Sequence, residues 1–146
     1  MRLRRLVLCV VFTVLLSACG SGPTRKVHPS TASIQQIVLQ PDGHWRITLR
    51  LQNYSTFAMH YAGFDANLAI GGADAGQIKF VPDIDIVASN SDVVETSFAP
   101  AAGIKLGGDI AYTLKGTIRT SDPDKDFEFS TSSHLSPAPG LAGTWR

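Results

Sequence analysis

Apolar and polar side chains alternate one by one along much of the chain after residue 33, and this pattern constrains the fold more than any other feature. The clearest runs are residues 45–52, 64–70, 94–98, 110–118 and 127–129. Successive side chains of a strand point to opposite faces of a sheet, so each run predicts a strand with one buried and one wet face. Weaker strands are expected over residues 34–40, 57–61 and 77–81.

Turn-forming residues separate these runs. They lie at residues 41–43, 71–72, 89–91, 107–109 and 121–124. No stretch of twelve or more residues carries the 3.6-residue period of a helix without a Gly or Pro. Short strands at regular spacing, joined by turns and not by helices, predict an all-β fold of about seven strands, an antiparallel β-sandwich or barrel.

The first 18 residues differ from the rest and predict a secretory signal. Arg2, Arg4 and Arg5 give a basic start, residues 6–16 are almost wholly apolar, and the small residues Ser17 and Ala18 follow. This order of basic, apolar and small residues is typical of a signal peptide. The apolar run is shorter than the roughly 20 residues that a membrane-spanning helix needs.

The cysteine after this run gives the prediction a second part. Leu16, Ser17, Ala18 and Cys19 resemble the lipobox of bacterial lipoproteins. The resemblance implies that Cys19 becomes the N-terminus and carries several acyl chains, which together make a stable membrane anchor. Gly20 follows in place of an aspartate, and by the family's sorting rule this implies an outer-membrane lipoprotein that faces the periplasm.

Processing at Cys19 would change the cysteine count and the charge. Cys9 is removed and Cys19 is acylated, so no disulfide is expected in the mature domain. Three of the 13 Lys and Arg lie in the signal, which leaves ten against 12 Asp and Glu, a net charge of −2. Because no basic face is apparent, nucleic-acid binding is not expected.

The sequence therefore divides into four segments, with one folded domain. Residues 1–18 are the predicted signal and residues 34–131 the predicted sandwich, a length sufficient for one core. Between them, residues 19–33 comprise the acylated cysteine and a tether rich in Gly, Pro and Ser. Fully extended, residues 20–33 would span roughly 45–50 Å. Residues 132–146 form a tail with little expected regular structure, which Trp145 could anchor.

Four segments of the predicted domain resemble one known family. RITLRLQN at residues 46–53 is similar to the asparagine-ending strand that opens the water-stress and hypersensitive-response (WHy) domain, also called the type-2 late-embryogenesis-abundant domain. Asn53 matches the first asparagine of its Asn-Pro-Asn signature, although Tyr54 and Ser55 follow here. Residues 61–72, 93–100 and 109–118 resemble its later strands.

This resemblance implies a fibronectin-type-III-like (immunoglobulin-like) sandwich and a non-enzymatic role in tolerance of desiccation or related stress. It supplies no catalytic residue. A different function also fits a sandwich of this kind, namely an envelope assembly or adaptor module that binds a protein partner through a sheet edge or a groove. Deleting the gene product and measuring survival through drying addresses the first hypothesis, and crosslinking to one envelope protein the second.

Ionisable side chains give no compact motif, so no cofactor, metal ligand or catalytic residue is predicted. The histidines are scattered: His28, His44, His60 and His134. Asp83 and Asp85 share one face of an extended segment and could bind calcium, but a solvated strand edge is favoured. Asp122, Asp124 and Asp126 lack the glycine and glutamate of a calcium loop, which favours a turn.

Aromatic side chains cluster in sequence around Asn53. They are Trp45, Tyr54, Phe57, Tyr61 and Phe64. An apolar groove for a partner is one interpretation, and core packing is the favoured one. Tyr112 is in step with Ile110 and Leu114, so its ring should point inward with the hydroxyl at the core margin. Gly116 is also in step, which predicts a bulge or a close approach of backbones.

Overall fold

A computed structural model of the protein describes Gly22 and residues 24–146, and this part of the chain is built from nine strands. The strands are β1 (Thr31–Leu39), β2 (Trp45–Gln52), β3 (Met59–Ile70), β4 (Ala73–Phe80), β5 (Ile84–Ile86), β6 (Ser91–Phe98), β7 (Ile110–Asp122), β8 (Asp124–Leu135) and β9 (Thr144–Trp145). None of the described residues forms a helix that is long and apolar enough to cross a bilayer. The predicted signal and Cys19 lie outside the described residues.

The strands form two antiparallel sheets that pack face to face. Sheet A has the order β6-β2-β1-β9, and sheet B has the order β4-β3-β7-β8, with β5 pairing the beginning of β3. The predicted all-β antiparallel sandwich is confirmed. Nine strands are present where about seven were expected, because β5 and β9 have only three and two residues and are too short to show a period.

The alternating residues fill the space between the sheets. Ile47, Leu49 and Leu51 of β2 are completely buried, whereas Arg46 and Arg50 between them are exposed. Leu68 of β3, Leu114 of β7 and other side chains of sheet B meet them from the opposite side. Burying one Leu or Ile side chain contributes about 1.5–3 kcal/mol, so this alternation is the main source of the fold's stability.

The two central strands of sheet B approach each other closely at Gly116. A Cβ atom on Gly116 would clash with the Asp65 carbonyl oxygen and the Ala66 Cα atom, so no larger residue fits while β3 and β7 keep their separation. The Phe64 and Phe129 rings pack 5.7 Å apart on the neighbouring strands and cover the core side of this contact. The predicted close approach of backbones is therefore confirmed.

Hydroxyl groups of sheet B bind the main chain of β1 across the sandwich. The Tyr112 hydroxyl accepts a hydrogen bond from the Ile34 N–H (3.1 Å) and lies 3.4 Å from the Ile34 carbonyl oxygen. The Thr131 hydroxyl donates to the Ala32 carbonyl oxygen at 2.7 Å. The short strand β9 pairs with β1 at Ile37 and Val38. The Tyr112 and Thr131 hydroxyls therefore bind main-chain groups on the part of β1 that β9 does not cover. The predicted position of the Tyr112 hydroxyl is confirmed.

Regular structure extends beyond residues 34–131 in both directions. β1 begins at Thr31, β8 continues to Leu135, and β9 pairs with β1. The Trp145 indole N–H lies 3.0 Å from the Gly107 carbonyl oxygen and 3.2 Å from that of Gly108. The C-terminal segment therefore packs on the domain, and Trp145 is the residue that holds it.

The sandwich has two ends that differ in construction. We call proximal the end at which β1 begins; it carries residues 24–30, the β2–β3 loop (53–58), the β5–β6 loop (87–90) and the β7–β8 turn. We call distal the opposite end; it carries residues 40–44, 71–72, 99–109 and 136–143.

Candidate functional site

Asn53 organises the loops of the proximal end. Its side chain is fully buried, and its amide nitrogen donates to the carbonyl oxygens of Phe57 (2.9 Å), Ile86 (2.9 Å) and Val87 (3.2 Å). Its amide oxygen accepts the Ser55 N–H at 2.8 Å. One side chain thus fixes the β2–β3 loop and joins it to the β5–β6 loop. An asparagine suits this position because its amide both donates and accepts.

The segment before β1 lies along the β2–β3 loop. The Thr56 hydroxyl donates to the Thr24 carbonyl oxygen (2.9 Å) and accepts the Lys26 N–H (2.8 Å). The Ser55 hydroxyl accepts the His28 N–H at 2.9 Å, and the Arg25 guanidinium lies 4.2 Å from the centroid of the Phe57 ring. Residues 24–30, which the sequence places in the tether, are thus attached to the domain.

His60 lies between the two aspartates that the sequence singled out. Its Nδ1 atom is 2.8 Å from the Asp85 carboxylate, and its Nε2 atom is 3.4 Å from the Asp83 carboxylate. Both carboxylates are about four-fifths exposed. No group of three or more His, Cys, Asp or Glu side chains in the described part of the chain is arranged to hold a metal ion. A carboxylate thus faces each ring nitrogen of His60.

The remaining ionisable candidates do not come together. Asp122 and Asp124 flank Pro123 in the tight turn between β7 and β8, and Asp126 pairs with Arg119 across those strands. His44 lies at the distal end beside Asp42, 3.3 Å from its carboxylate. His28 belongs to the N-terminal segment and His134 to β8. These residues are distributed over both ends and share no site.

The aromatic residues near Asn53 are divided between the core and the surface. Trp45 packs on Phe98, with ring centroids 5.8 Å apart, and Tyr61 and Phe64 are almost fully buried. Core packing is therefore the correct interpretation for these three, and they line no common groove. Tyr54 is the exception, because 52% of its surface is exposed at the proximal end.

Two buried tyrosine hydroxyls lie between the sheets. Burial raises the pKa of Tyr61 above 10.0, and the hydrogen bond to the Ser30 hydroxyl (2.8 Å) partly offsets this rise. Burial likewise raises the pKa of Tyr112, against the lowering effect of its hydrogen bonds to Ile34 and Ser133. Both groups stay protonated at neutral pH and act as hydrogen-bonding groups of the core.

The outer face of sheet B carries a shallow groove of about 500 Å³ with a mixed polar and apolar lining. Its charged lining residues are Asp65, Lys79, Lys115, Arg119 and Asp126. The Lys79 ammonium lies 3.3 Å from the Asp65 carboxylate, and cations and carboxylates alternate across the strands. The named side chains are three cations and two carboxylates, so charges of opposite sign are interspersed and a small positive excess remains.

Sequence reasoning missed the His60–Asp83–Asp85 cluster and the binding of residues 24–30 to the domain. Both depend on contacts between segments more than 20 residues apart. No local spacing signals such contacts.

Comparison with known proteins supports the fold. Neither a protein-family model nor a curated protein matches the chain. The solution structure of AT1g01470 from Arabidopsis thaliana aligns with a TM-score of 0.50 at 11% identity, over 83% of this chain and 87% of that chain. At this identity, the similarity shows a shared fold alone.

Two further solved structures align less well. A candidate late embryogenesis abundant (LEA) protein, At2g46140.1, aligns with a TM-score of 0.49 at 13% identity, over 91% of this chain and 80% of that chain. A protein from Archaeoglobus fulgidus aligns with a TM-score of 0.40 at 11% identity, over 77% and 98% of the two chains. Fold and site together define an antiparallel β-sandwich whose proximal loops are organised around a buried asparagine.

Proposed function

We propose that the chain is a lipid-anchored cell-envelope protein with a WHy-type domain, which protects other envelope components during desiccation or water stress without catalysing a reaction. The observation that carries the WHy assignment is the environment of Asn53. This residue matches the asparagine of the family's signature, and it is the buried centre of the proximal loops. The conformation of these loops depends on this side chain, which is a physical reason for the residue to be part of a family signature.

The four segments of sequence resemblance coincide with strands of the sandwich, which supports the same assignment. Residues 46–53 include most of β2, and residues 61–72 most of β3. Residues 93–100 overlap β6, and residues 109–118 overlap β7. Each segment has the register of an alternating strand, and the four belong to both sheets.

The anchor in this proposal is the acylated Cys19, and the proposed location is the outer membrane, facing the periplasm. The support is the order of basic, apolar and small residues before Cys19 in the sequence. Mass spectrometry of the protein isolated from membranes tests this directly. An N-terminal peptide that begins at an acylated Cys19 is expected, and an unmodified thiol would refute the anchor.

The protective role is supported by the outer face of sheet B. Its charged side chains, three cations and two carboxylates around the groove, are of mixed sign and stay hydrated, and such a surface separates other molecules without binding any of them tightly. The test compares survival after drying and rewetting in a strain lacking the protein, in the complemented strain and in a strain carrying Cys19→Ser. Survival is expected to fall without the protein and to return only with the wild type. Equal survival of all three strains would refute the stress role.

A second candidate function is supported by the edge strand β6. Among the described residues it pairs with β2 alone, and its eight residues include neither Lys nor Pro, which commonly protect exposed edges. Val93 is 52% exposed there. Such an edge could add a strand from a protein partner, as the adaptor hypothesis requires. However, the Asp92 carboxylate accepts the Val93 N–H at 2.8 Å and so occupies one edge donor.

Site-specific crosslinking in cells tests the adaptor hypothesis. A photo-crosslinking residue at position 93 is expected to capture one envelope protein if β6 is a docking edge. The matched control is position 81, since Val81 is also exposed but lies outside the strands. Equal or no capture at the two positions would refute docking at β6.

A further inference from the structure

The attachment of residues 24–30 to the proximal end limits how far the domain can stand from an anchor at Cys19. The Thr24 carbonyl oxygen is already bound by the Thr56 hydroxyl. Only five residue steps separate Cys19 from Thr24, and a fully extended chain covers about 18 Å in that distance. An anchor at Cys19 therefore keeps the proximal end, and not the distal end, close to the lipid.

Exposed apolar side chains lie at this same end. Tyr54 is 52% exposed, Val87 57% and Val27 38%. They belong to segments that are joined by hydrogen bonds: the Asn53 amide binds the Val87 carbonyl oxygen, and Ser55 binds the backbone of His28. A tyrosine with an apolar ring and a polar tip is a residue type that is favoured at membrane interfaces.

Two basic side chains accompany these apolar ones. Arg25 stacks on the Phe57 ring and Lys26 follows it, both in the segment that leads toward Cys19. Most acidic groups at this end lie on the side of sheet B: Asp83 and Asp85 beside His60, and Asp122 and Asp124 at the β7–β8 turn next to Lys125. Asp92 lies on sheet A, at the start of the edge strand β6, which β2 separates from β1. The basic and apolar groups are thus gathered on the side of the N-terminal segment, where lipid phosphates would meet them.

From these three observations we propose that the proximal end is a membrane-contacting surface, which inserts Tyr54 and Val87 between lipid headgroups and sets Arg25 and Lys26 against their phosphates. This inference rests on the lipid anchor proposed above. It adds a second attachment to the acyl chains and fixes the orientation of the domain, with the β6 edge and the outer face of sheet B perpendicular to the bilayer and open to the periplasm.

The distal end provides the matched control. Leu39 and Leu141 are 40% and 48% exposed there, which is close to the exposure of Tyr54 and Val87. The Leu39 N–H binds the Gly143 carbonyl oxygen, so the two leucines belong to neighbouring segments. The chain toward Cys19 does not leave from this end. The exposure of apolar side chains therefore does not distinguish the proximal end from the distal end, whereas the position of the anchor does.

The test uses single cysteines labelled with an environment-sensitive fluorophore. Tyr54→Cys, Val87→Cys and Leu141→Cys are made in the full chain, which is purified after natural processing and reconstituted in vesicles of phosphatidylethanolamine and phosphatidylglycerol. Lipid quenchers at headgroup depth are expected to quench the labels at positions 54 and 87 several-fold more than the label at 141. Changing Arg25 and Lys26 together to Gln is expected to weaken this quenching, and the control Lys115→Gln to leave it unchanged.

Equal quenching at all three positions, with acyl groups on Cys19 shown by mass spectrometry of the same sample, would overturn the proposal and leave the anchor intact. Shielding of positions 54 and 87 that depends on protein concentration without vesicles would also overturn it, since a second copy would then cover this end. If Cys19 proves unmodified, the labelled chains in a Cys19→Ser background are mixed with the same vesicles. Selective quenching at 54 and 87 would then support the surface without the anchor, and its absence would refute it.

Discussion

The two ends of the sandwich form their connections in different ways. At the distal end, Gly43, Gly71 and Gly72 occupy positive φ angles of 85°, 57° and 83°, and glycine adopts these without a steric cost. At the proximal end, the non-glycine residues Asp83 and Ser89 are at φ 52° and 53°. Ser89 is held there while its N–H binds the Ser55 carbonyl oxygen.

This difference teaches that the distal turns are specified locally, whereas the proximal loops are specified by tertiary hydrogen bonds. Asn53 and Ser55 supply most of those bonds from a fully buried position. The proximal end should therefore respond strongly to the loss of one polar side chain, and the distal end only weakly.

The largest effect is expected from Asn53→Ala. It leaves the buried Ile86 carbonyl oxygen and Ser55 N–H without their partner, while the Phe57 and Val87 carbonyl oxygens are only part-buried. Each unsatisfied buried group costs about 1–3 kcal/mol, so two of them predict a loss of about 3–5 kcal/mol in the free energy of unfolding. The distal control is Asp42→Ala, which removes an exposed bond to the His44 N–H and an exposed contact with the His44 ring, and it should cost well under about 1 kcal/mol. Urea unfolding measures both. Similar losses would show that the two ends do not differ.

Alkaline pH should destabilise the protein through Tyr61, near the proximal end, and Tyr112, in the distal half. Their pKa values are raised by burial in the folded state, so above pH 10 the unfolded chain loses these protons first. Stability is complete below about pH 10 and should fall as pH rises further, by at most about 1.4 kcal/mol per pH unit for each tyrosine. Urea unfolding at pH 8–11 checks this. The fall should shrink when both are changed to Phe.

Tyr112→Phe isolates the hydroxyl that binds the main chain of Ile34. The ring still fills the core, but the Ile34 N–H loses its partner, so we expect a loss of about 1–2 kcal/mol. Hydrogen exchange at that N–H should accelerate more than elsewhere in β1. In Tyr61→Phe the lost partner is the Ser30 hydroxyl, so exchange at Ile34 should stay unchanged. Equal acceleration in both variants would contradict this assignment.

The smallest effects concern backbone conformation. Gly72→Ala at the distal end places a Cβ atom at φ 83° in open space, and it should cost about 1 kcal/mol. Ser89→Gly at the proximal end removes a similar strain but makes the unfolded chain more flexible, so a change within about 0.5 kcal/mol is expected. Thermal unfolding of the two variants compares them. A large loss in Ser89→Gly would mean that its hydroxyl has an unassigned partner.

The sequence was sufficient for the parts of the fold that local chemistry determines. The alternation over residues 45–52 predicted the buried face of β2, and Gly43 with Pro41 predicted the turn before it. Gly116 gave the close approach of two backbones because no other residue fits there. Resemblance identified Asn53, but its partners lie as far away as Val87, and no local pattern encodes them.

The same limit applies to the N-terminal segment. Residues 24–30 are rich in Pro and polar side chains, which is typical of a tether, and they show no period. Their binding to Ser55 and Thr56 uses backbone groups and hydroxyls, which sequence patterns do not distinguish from solvated ones. Such binding can be recognised only when the positions of both partners in the structure are known.

The hydroxyls of Tyr112 and Thr131 reach main-chain atoms of β1 and not its side chains. Positions 32 and 34 can therefore exchange one small or aliphatic residue for another during evolution without disturbing this junction, because every amino acid except proline offers the same N–H and C=O. Positions 112 and 131 cannot be exchanged as freely, because their hydrogen bonds require a side-chain hydroxyl. Among related sequences, substitution rates should consequently differ between the hydroxyl-bearing positions of β7 and β8 and the positions of β1 that they contact, with the hydroxyl-bearing positions changing more slowly.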